Sequence, residues 1–172
     1  MSHLACLALR MTSWPIRTAV PAERARLREI FWQASLTNEG DRAALLAGAK
    51  DHVLPDAPLD EGRIRVATDS EGTIVGFATA LTTSTSEVVE LEDLFVDPEW
   101  MRRGIATALI QDAVDLAGKA GVHRIEVTGN AHALAFYERA GFVINGEVAT
   151  PLGGVGLRMH LDLQQVTDDR RR

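Results

Sequence analysis

Residues 94 to 110, LFVDPEWMRRGIATALI, set two arginines and a glycine between a strand-like apolar run and a helix-like apolar run. A helix that starts at such a corner leaves its first backbone N–H groups without internal partners, and its dipole adds about half a positive charge there. Arg102 and Arg103 bring further charge, while Gly104 and Ala106 bring little bulk. The main chain from Arg102 through Ile105 to Thr107 can therefore approach an anion, and a pyrophosphate suits it. A tight turn with solvated arginines is the plainer reading of the same residues. Neither G-x-x-x-x-G-K-[ST] nor G-x-G-x-x-G occurs in the chain, so the usual triphosphatase and dinucleotide fingerprints are missing and a different phosphate-bearing ligand is expected.

The preceding strand carries a second signal. Val89 and Leu91 are apolar on odd positions, Leu94 and Val96 on even ones, so the alternation slips across Glu92 and Asp93. A slip of one residue is what a β-bulge produces. If neighbouring strands part there, Leu94, Phe95 and Val96 offer free N–H and C=O groups to an extended, amide-bearing ligand. The alternative is a strand buried on both faces with two acids at its rim.

These residues need elements to hold them. Strand-like runs occur at Ile16 to Ala19, RIRVATD, TIVGFATALTT, EVVELEDLFV, RIEVT, FVINGEVAT and GLRMHLDL. Helical patterns begin at PAERARLREIFWQASL, with Leu27, Ile30, Phe31 and Ala34 on one face, and run from Asn38 to about Lys50. A third helix is predicted over 103–119, with Ile105, Leu109, Ala113, Leu116 and Ala120 along one stripe, and a short fourth is opened by Asn130 as N-cap and closed by Gly141. DHVLPDAPLDEG reads as a loop bordering the site. Three consecutive strands imply an antiparallel meander, and the strand-helix-strand order after it demands a parallel pair. The fold class is therefore α/β (α+β), a mixed, mostly antiparallel sheet of six to seven strands flanked by about four helices.

The 172 residues carry 18 basic and 24 acidic side chains, a net charge of −6, which argues against a nucleic-acid partner and for a cationic one. No run approaches the length of a membrane span. A single cysteine, Cys6, allows no internal disulfide and completes no metal motif, which makes the cytoplasm the default compartment. Residues 1–12 are expected to be a disordered extension, with Met11 an alternative start, residues 13–165 one domain, and 166–172 a charged tail.

Taken together, LEDLFVDPEWMRRGIATALI and IEVTGNAHALAFYERAGF resemble the GNAT superfamily of acetyl-CoA-dependent N-acetyltransferases. The family's [QR]-x-x-G-x-[GA] motif aligns with Met101 to Ala106, and its N-x-x-A-x-x-F-Y-E-x-x-G-F pattern with Asn130 to Phe142. Met101 departs from the usual Gln or Arg. The resemblance implies a sheet splayed at the fourth strand, with acetyl-CoA as cosubstrate and no metal. Leu94, Phe95 and Val96 would pair with the pantetheine arm, Arg102, Arg103, Gly104, Ile105, Ala106 and Thr107 would hold the pyrophosphate, and Asn130 would contact the cofactor from the opposite side.

A thioester is already activated, so the enzyme must position a neutral amine, stabilise an oxyanion and protonate a thiolate. By resemblance Tyr137, the one tyrosine, is the general acid and a further cofactor contact; an N–H near Leu94 or Phe95 meets the oxyanion. Glu92 is the favoured base, with Asp93, Glu90 and Glu126 as alternatives and an ordered water path as another. His123 and His132 read as incidental, Trp32 and Phe31 as core, with lining of the acceptor cleft as their alternative, and Trp100 as packing beneath the turn. The implied acceptor is a small-molecule or protein amine, and the closing strands offer a homodimer surface as in many similar enzymes. A non-catalytic acyl-CoA-binding module is the competing function.

Overall fold

A computed structural model of the chain describes residues 14–48, 53–150 and 154–163. The expected N-terminal extension with Cys6 and Met11, the tail 166–172 and the expected helix end at Lys50 lie outside the described residues. Seven strands form one sheet: β1 (Ile16–Thr18), β2 (Ile64–Thr68), β3 (Ile74–Thr82), β4 (Val88–Val96), β5 (Arg124–Gly129), β6 (Val143–Ala149) and β7 (Val155–Asp162). Their order is β1-β2-β3-β4-β5-β7-β6, and every neighbouring pair is antiparallel except β4 with β5. The predicted meander and the predicted parallel pair are both present.

Among the described residues five α-helices accompany the sheet: α1 (Arg24–Ser35), α2 (Glu39–Ala47), α3 (Ala57–Asp60), α4 (Ile105–Lys119) and α5 (Leu134–Arg139). The helix α3 lies where a loop was expected; a four-residue turn with Pro58 near its start shows no periodicity, yet it buries Leu59. The stripe on α4 also differs from expectation. Leu116 is 43% exposed and Ala120 is exposed, whereas Ile110 and Ala117 join Ile105, Leu109 and Ala113 in the core. The i, i+4 spacing from 105 continues to 117 rather than stepping to 116.

The two faces of the sheet are covered differently. Helix α4, with Tyr137 from α5, packs on Leu91, Ile125, Val127, Met159 and Leu161. On the other face Leu27, Ile30 and Phe31 of α1 pack on Ile64, Val66, Ile74 and Phe77, with Phe95 alongside. Gly76 lets α4 come close: a Cβ there would stand 2.9 Å from Ile105 Cγ2 and 3.0 Å from the Phe95 carbonyl oxygen. This close approach seats the start of α4 against β3 and the end of β4.

Candidate active site

The strand β4 is held on both sides only as far as Leu91. Val88 to Leu91 pair with Arg124 to Val127 of β5, and no residue of β4 beyond Leu91 pairs with β5. On its other side β4 continues along β3, where Ala80 lies opposite Leu91 and Thr79 opposite Asp93. Glu92 is thus the extra residue of a bulge, at the phase slip visible in the sequence. Meanwhile Thr128 and Gly129 of β5 continue only along β7. A gap opens between β4 and β5, and Leu94, Phe95 and Val96 lie along one edge of it.

At the mouth of the gap the chain turns through the short 3-10 turn Pro98–Trp100 into α4. Asp97 caps that turn, accepting from the Glu99 N–H at 2.9 Å. Asp97 is 5% exposed, and its carboxylate pairs with Arg26 of α1, which also donates to the Ile74 carbonyl at 3.0 and 3.2 Å. The corner is therefore tied to both α1 and β3. Sequence pattern leaves Arg26 unmarked, and the signal for Asp97 is the Asp-Pro pair, a usual start for a capped turn.

Two residues of the corner have left-handed backbone, Arg102 with φ 61° and Gly104, the N-cap of α4, with φ 82°. For glycine this costs nothing; for arginine it costs on the order of 1 kcal/mol and persists only where the surroundings over-determine the loop. Among the described residues no acceptor meets the N–H groups of Arg102 through Thr107. Six consecutive donors at a helix start, unpartnered among the described residues, are a geometry suited to an anion. The two arginines are not equivalent. The guanidinium of Arg103 lies 4.7 Å from the Trp100 ring centroid and donates to the Glu99 carbonyl at 3.2 Å, whereas Arg102 is exposed and has no side-chain partner among the described residues. Met101, the atypical residue, is 39% exposed.

On the β5 side of the gap, Gly129 ends the strand and the ring of Tyr137 lies against it. Tyr137 is 6% exposed and makes edge contacts with Phe136 and Phe142 at centroid distances of 5.2 and 5.4 Å. Burial pushes its phenol up to about 12, so it stays protonated across the working range of pH. Asn130 is exposed; its side chain accepts from the Ala133 N–H at 2.9 Å and caps a turn, and regular α-helix begins only at Leu134.

The carboxylates of β4 lie at the bulge. Glu92 is exposed, and desolvation, followed by the charge of Glu90, raises its pKa. Asp93 is half-buried; desolvation lifts it to about 6, the Thr79 hydroxyl opposite tempers the rise, and the charge of Glu92 adds to it. That hydroxyl is close enough to act on Asp93 but makes no hydrogen bond of full geometry. Among the described residues Glu90, Glu92 and Asp93 have no basic partner, although Arg17, Arg24, Arg26, Arg28, Arg63, Arg65 and Arg124 pair with acids elsewhere. Glu126 lies opposite Glu90 in the ladder and has Arg158 at 3.7 Å. Trp32 is half-buried and Phe31 is core; His123 and His132 are exposed. Among the described residues no group of three or more His, Cys, Asp or Glu side chains could hold a metal ion, and no helix is long and apolar enough to cross a membrane.

A family model described as the acetyltransferase (GNAT) family matches residues 22–142. Glucosamine 6-phosphate N-acetyltransferase of Trypanosoma brucei brucei is 32% identical over 76 residues, which are 41% of this chain and 52% of that protein. The chain spans 26% to 52% of the length of the curated relatives it matches. Among solved structures, a GCN5-related N-acetyltransferase from Rhodopseudomonas palustris superposes with a TM-score of 0.69 at 24% identity, over 90% of this chain and 98% of that one. The PaiA N-acetyltransferase of Thermoplasma acidophilum, solved in complex with coenzyme A, superposes with a TM-score of 0.68 at 18% identity, over 87% and 99%. These likenesses support the fold described above.

Proposed function

The chain belongs to the acetyltransferase (GNAT) family, and on that premise we propose that it moves an acetyl group from acetyl-CoA to a primary amine by direct attack, in the cytoplasm. The observation that carries the proposal is the run of unpartnered N–H groups from Arg102 to Thr107, set at the mouth of the gap between β4 and β5. Acetyl-CoA supplies an already activated acyl group. The N–H groups of the corner and the charge of Arg102 hold its pyrophosphate; Arg103, bound to Trp100 and Glu99, shapes the loop and adds charge at longer range. Leu94, Phe95 and Val96 offer their gap-facing backbone groups to the amide-bearing arm, and an N–H near Leu94 or Phe95 meets the oxyanion. Asn130, whose side-chain oxygen is used in capping, contributes its amide nitrogen from the far side of the gap.

Tyr137 donates the proton that the departing thiolate needs, and its high pKa keeps that proton in place until then. The acceptor amine is mostly protonated near neutrality, so a carboxylate or water path must accept its proton first. Glu92, on the bulge, takes that role, and Asp93 beside it, its pKa lifted by desolvation to about 6, is the second group able to do so. The unpaired acids Glu90, Glu92 and Asp93 favour a cationic acceptor over a phosphorylated one such as that named for the Trypanosoma relative.

Calorimetric titration of acetyl-CoA into wild type, Gly104→Asp and Gly104→Asn tests the cradle. A Cβ at Gly104 meets nothing within 4 Å, and Asp and Asn both tolerate left-handed backbone comparatively well, so the pair differs mainly in charge. Loss of binding in the Asp variant, with binding kept in the Asn variant, is expected. Equal affinity in all three folded proteins would remove the pyrophosphate from this corner.

A further inference from the structure

The anion-binding corner is held from a distant part of the chain. The indole Nε1–H of Trp14, just ahead of β1, donates to the Arg103 carbonyl at 3.0 Å, across 89 residues of sequence. The Trp14 ring meets Trp100 edge to face at 5.9 Å, and Trp100 in turn carries the Arg103 guanidinium. The Trp100 N–H donates to the Asp97 carbonyl at 2.8 Å, and the Asp97 N–H to the Val75 carbonyl at 2.9 Å, so this assembly is anchored in β3.

We propose that Trp14 is a positioning residue of the cofactor site: its hydrogen bond to the Arg103 carbonyl fixes the orientation of the Arg103–Gly104 peptide and so aims the Gly104 N–H at the bound anion. In a trans peptide the C=O and N–H point in opposite directions. Pinning the carbonyl on the indole side therefore turns the Gly104 N–H away from Trp14, where it has no partner among the described residues. Gly104, which follows this peptide in left-handed backbone and carries no Cβ, lets the peptide rotate more freely than another residue would. Without the indole, both orientations of this peptide become accessible, and only one presents the donor. The clamp thus lowers the cost of ordering the loop when the ligand arrives. The inference rests on the reading of this corner as the pyrophosphate cradle.

The variant Trp14→Phe keeps an aromatic ring against Trp100 and removes the donor. The Kd and the KM for acetyl-CoA are expected to rise roughly three- to tenfold, the scale of one hydrogen bond, while kcat at saturating acetyl-CoA holds. A merely structural role would instead lower the melting temperature and kcat together. Wild-type affinity in Trp14→Phe, alongside lost binding in Gly104→Asp, would overturn the clamp and leave the cradle standing; unchanged binding in Gly104→Asp would remove both. An independent measurement uses wild type labelled with 15N-tryptophan, in which the three indole signals are assigned through Trp32→Phe and Trp100→Phe. The Trp14 signal should be protected from hydrogen exchange, and protected further on addition of coenzyme A. An unprotected Trp14 indole would overturn the proposal.

Discussion

The ring of Tyr137 lies directly on the main chain of Gly129: a Cβ built on that glycine would stand 3.0 Å from Cε2 and 3.3 Å from Cδ2 of the ring, and 2.9 Å from Cε of Met159. The methionine end can swing aside, but the tyrosine ring is also in edge contact with Phe136 and Phe142. Gly129→Ala should therefore displace the phenol from the β5 edge of the gap. The expected result is a fall of at least about tenfold in kcat, with a stability loss of about 1–3 kcal/mol, the usual cost of overpacking. Thermal unfolding and steady-state kinetics on the same preparation separate the two effects.

Asp93 gives a prediction for stability against pH. Its pKa is about 6 in the folded chain against an ordinary 3.8, so the folded state holds this proton more tightly than the unfolded state does. The resulting stabilisation is complete below about pH 4 and is lost as pH rises through about 6. Asp93→Asn should therefore raise the melting temperature at pH 8 by several degrees, corresponding to about 3 kcal/mol at most, and the gain should vanish towards pH 4. A melting temperature lowered by the substitution at pH 8 would show that the carboxylate is held by an interaction stronger than its desolvation.

A Glu92 or Asp93 base and a Tyr137 acid should each mark the pH profile of the rate. A carboxylate base must be ionised, so kcat/KM should rise with pH along an acid limb; an Asp93 base puts that limb near 6, and a Glu92 base above the usual glutamate range. Tyr137, raised to about 12, should cause no loss of activity around pH 10, where an ordinary tyrosine would ionise. Profiles of wild type, Glu92→Gln and Asp93→Asn with one amine assign the limb, because the amine's own ionisation is common to all three. The base is the residue whose substitution abolishes the limb and lowers the plateau by roughly 10²–10⁴-fold.

Much of this arrangement could be read from local pattern. The break in alternation at Glu92 and Asp93 marked the bulge, and the strand-helix-strand order after β4 marked the parallel pair. The buried face of α1 at Leu27, Ile30, Phe31 and Ala34 followed from spacing alone. The parts that escaped depend on contacts between residues far apart in the chain. Nothing near Trp14 announces a carbonyl at Arg103, and nothing near Arg26 announces the buried Asp97. Gly76 and Gly129 look like ordinary strand glycines until Ile105 and Tyr137 come to rest on them. The last residue of α4 that faces the core is Ala117 rather than Leu116, although hydrophobicity alone favours the leucine.

Acetyl transfer from acetyl-CoA to an amine with Tyr137 as the proton donor is tested by free-thiol release from acetyl-CoA across a panel of cationic and neutral amines, in wild type and Tyr137→Phe. Phenylalanine keeps the ring contacts with Gly129, Phe136 and Phe142 and deletes only the hydroxyl. Amine-dependent thiol release in wild type, strongest with cationic acceptors and reduced by roughly 10²-fold or more in Tyr137→Phe at unchanged acetyl-CoA affinity, is the result predicted. Tight acetyl-CoA binding with no amine stimulating thiol release, or equal turnover in the two proteins, would contradict it.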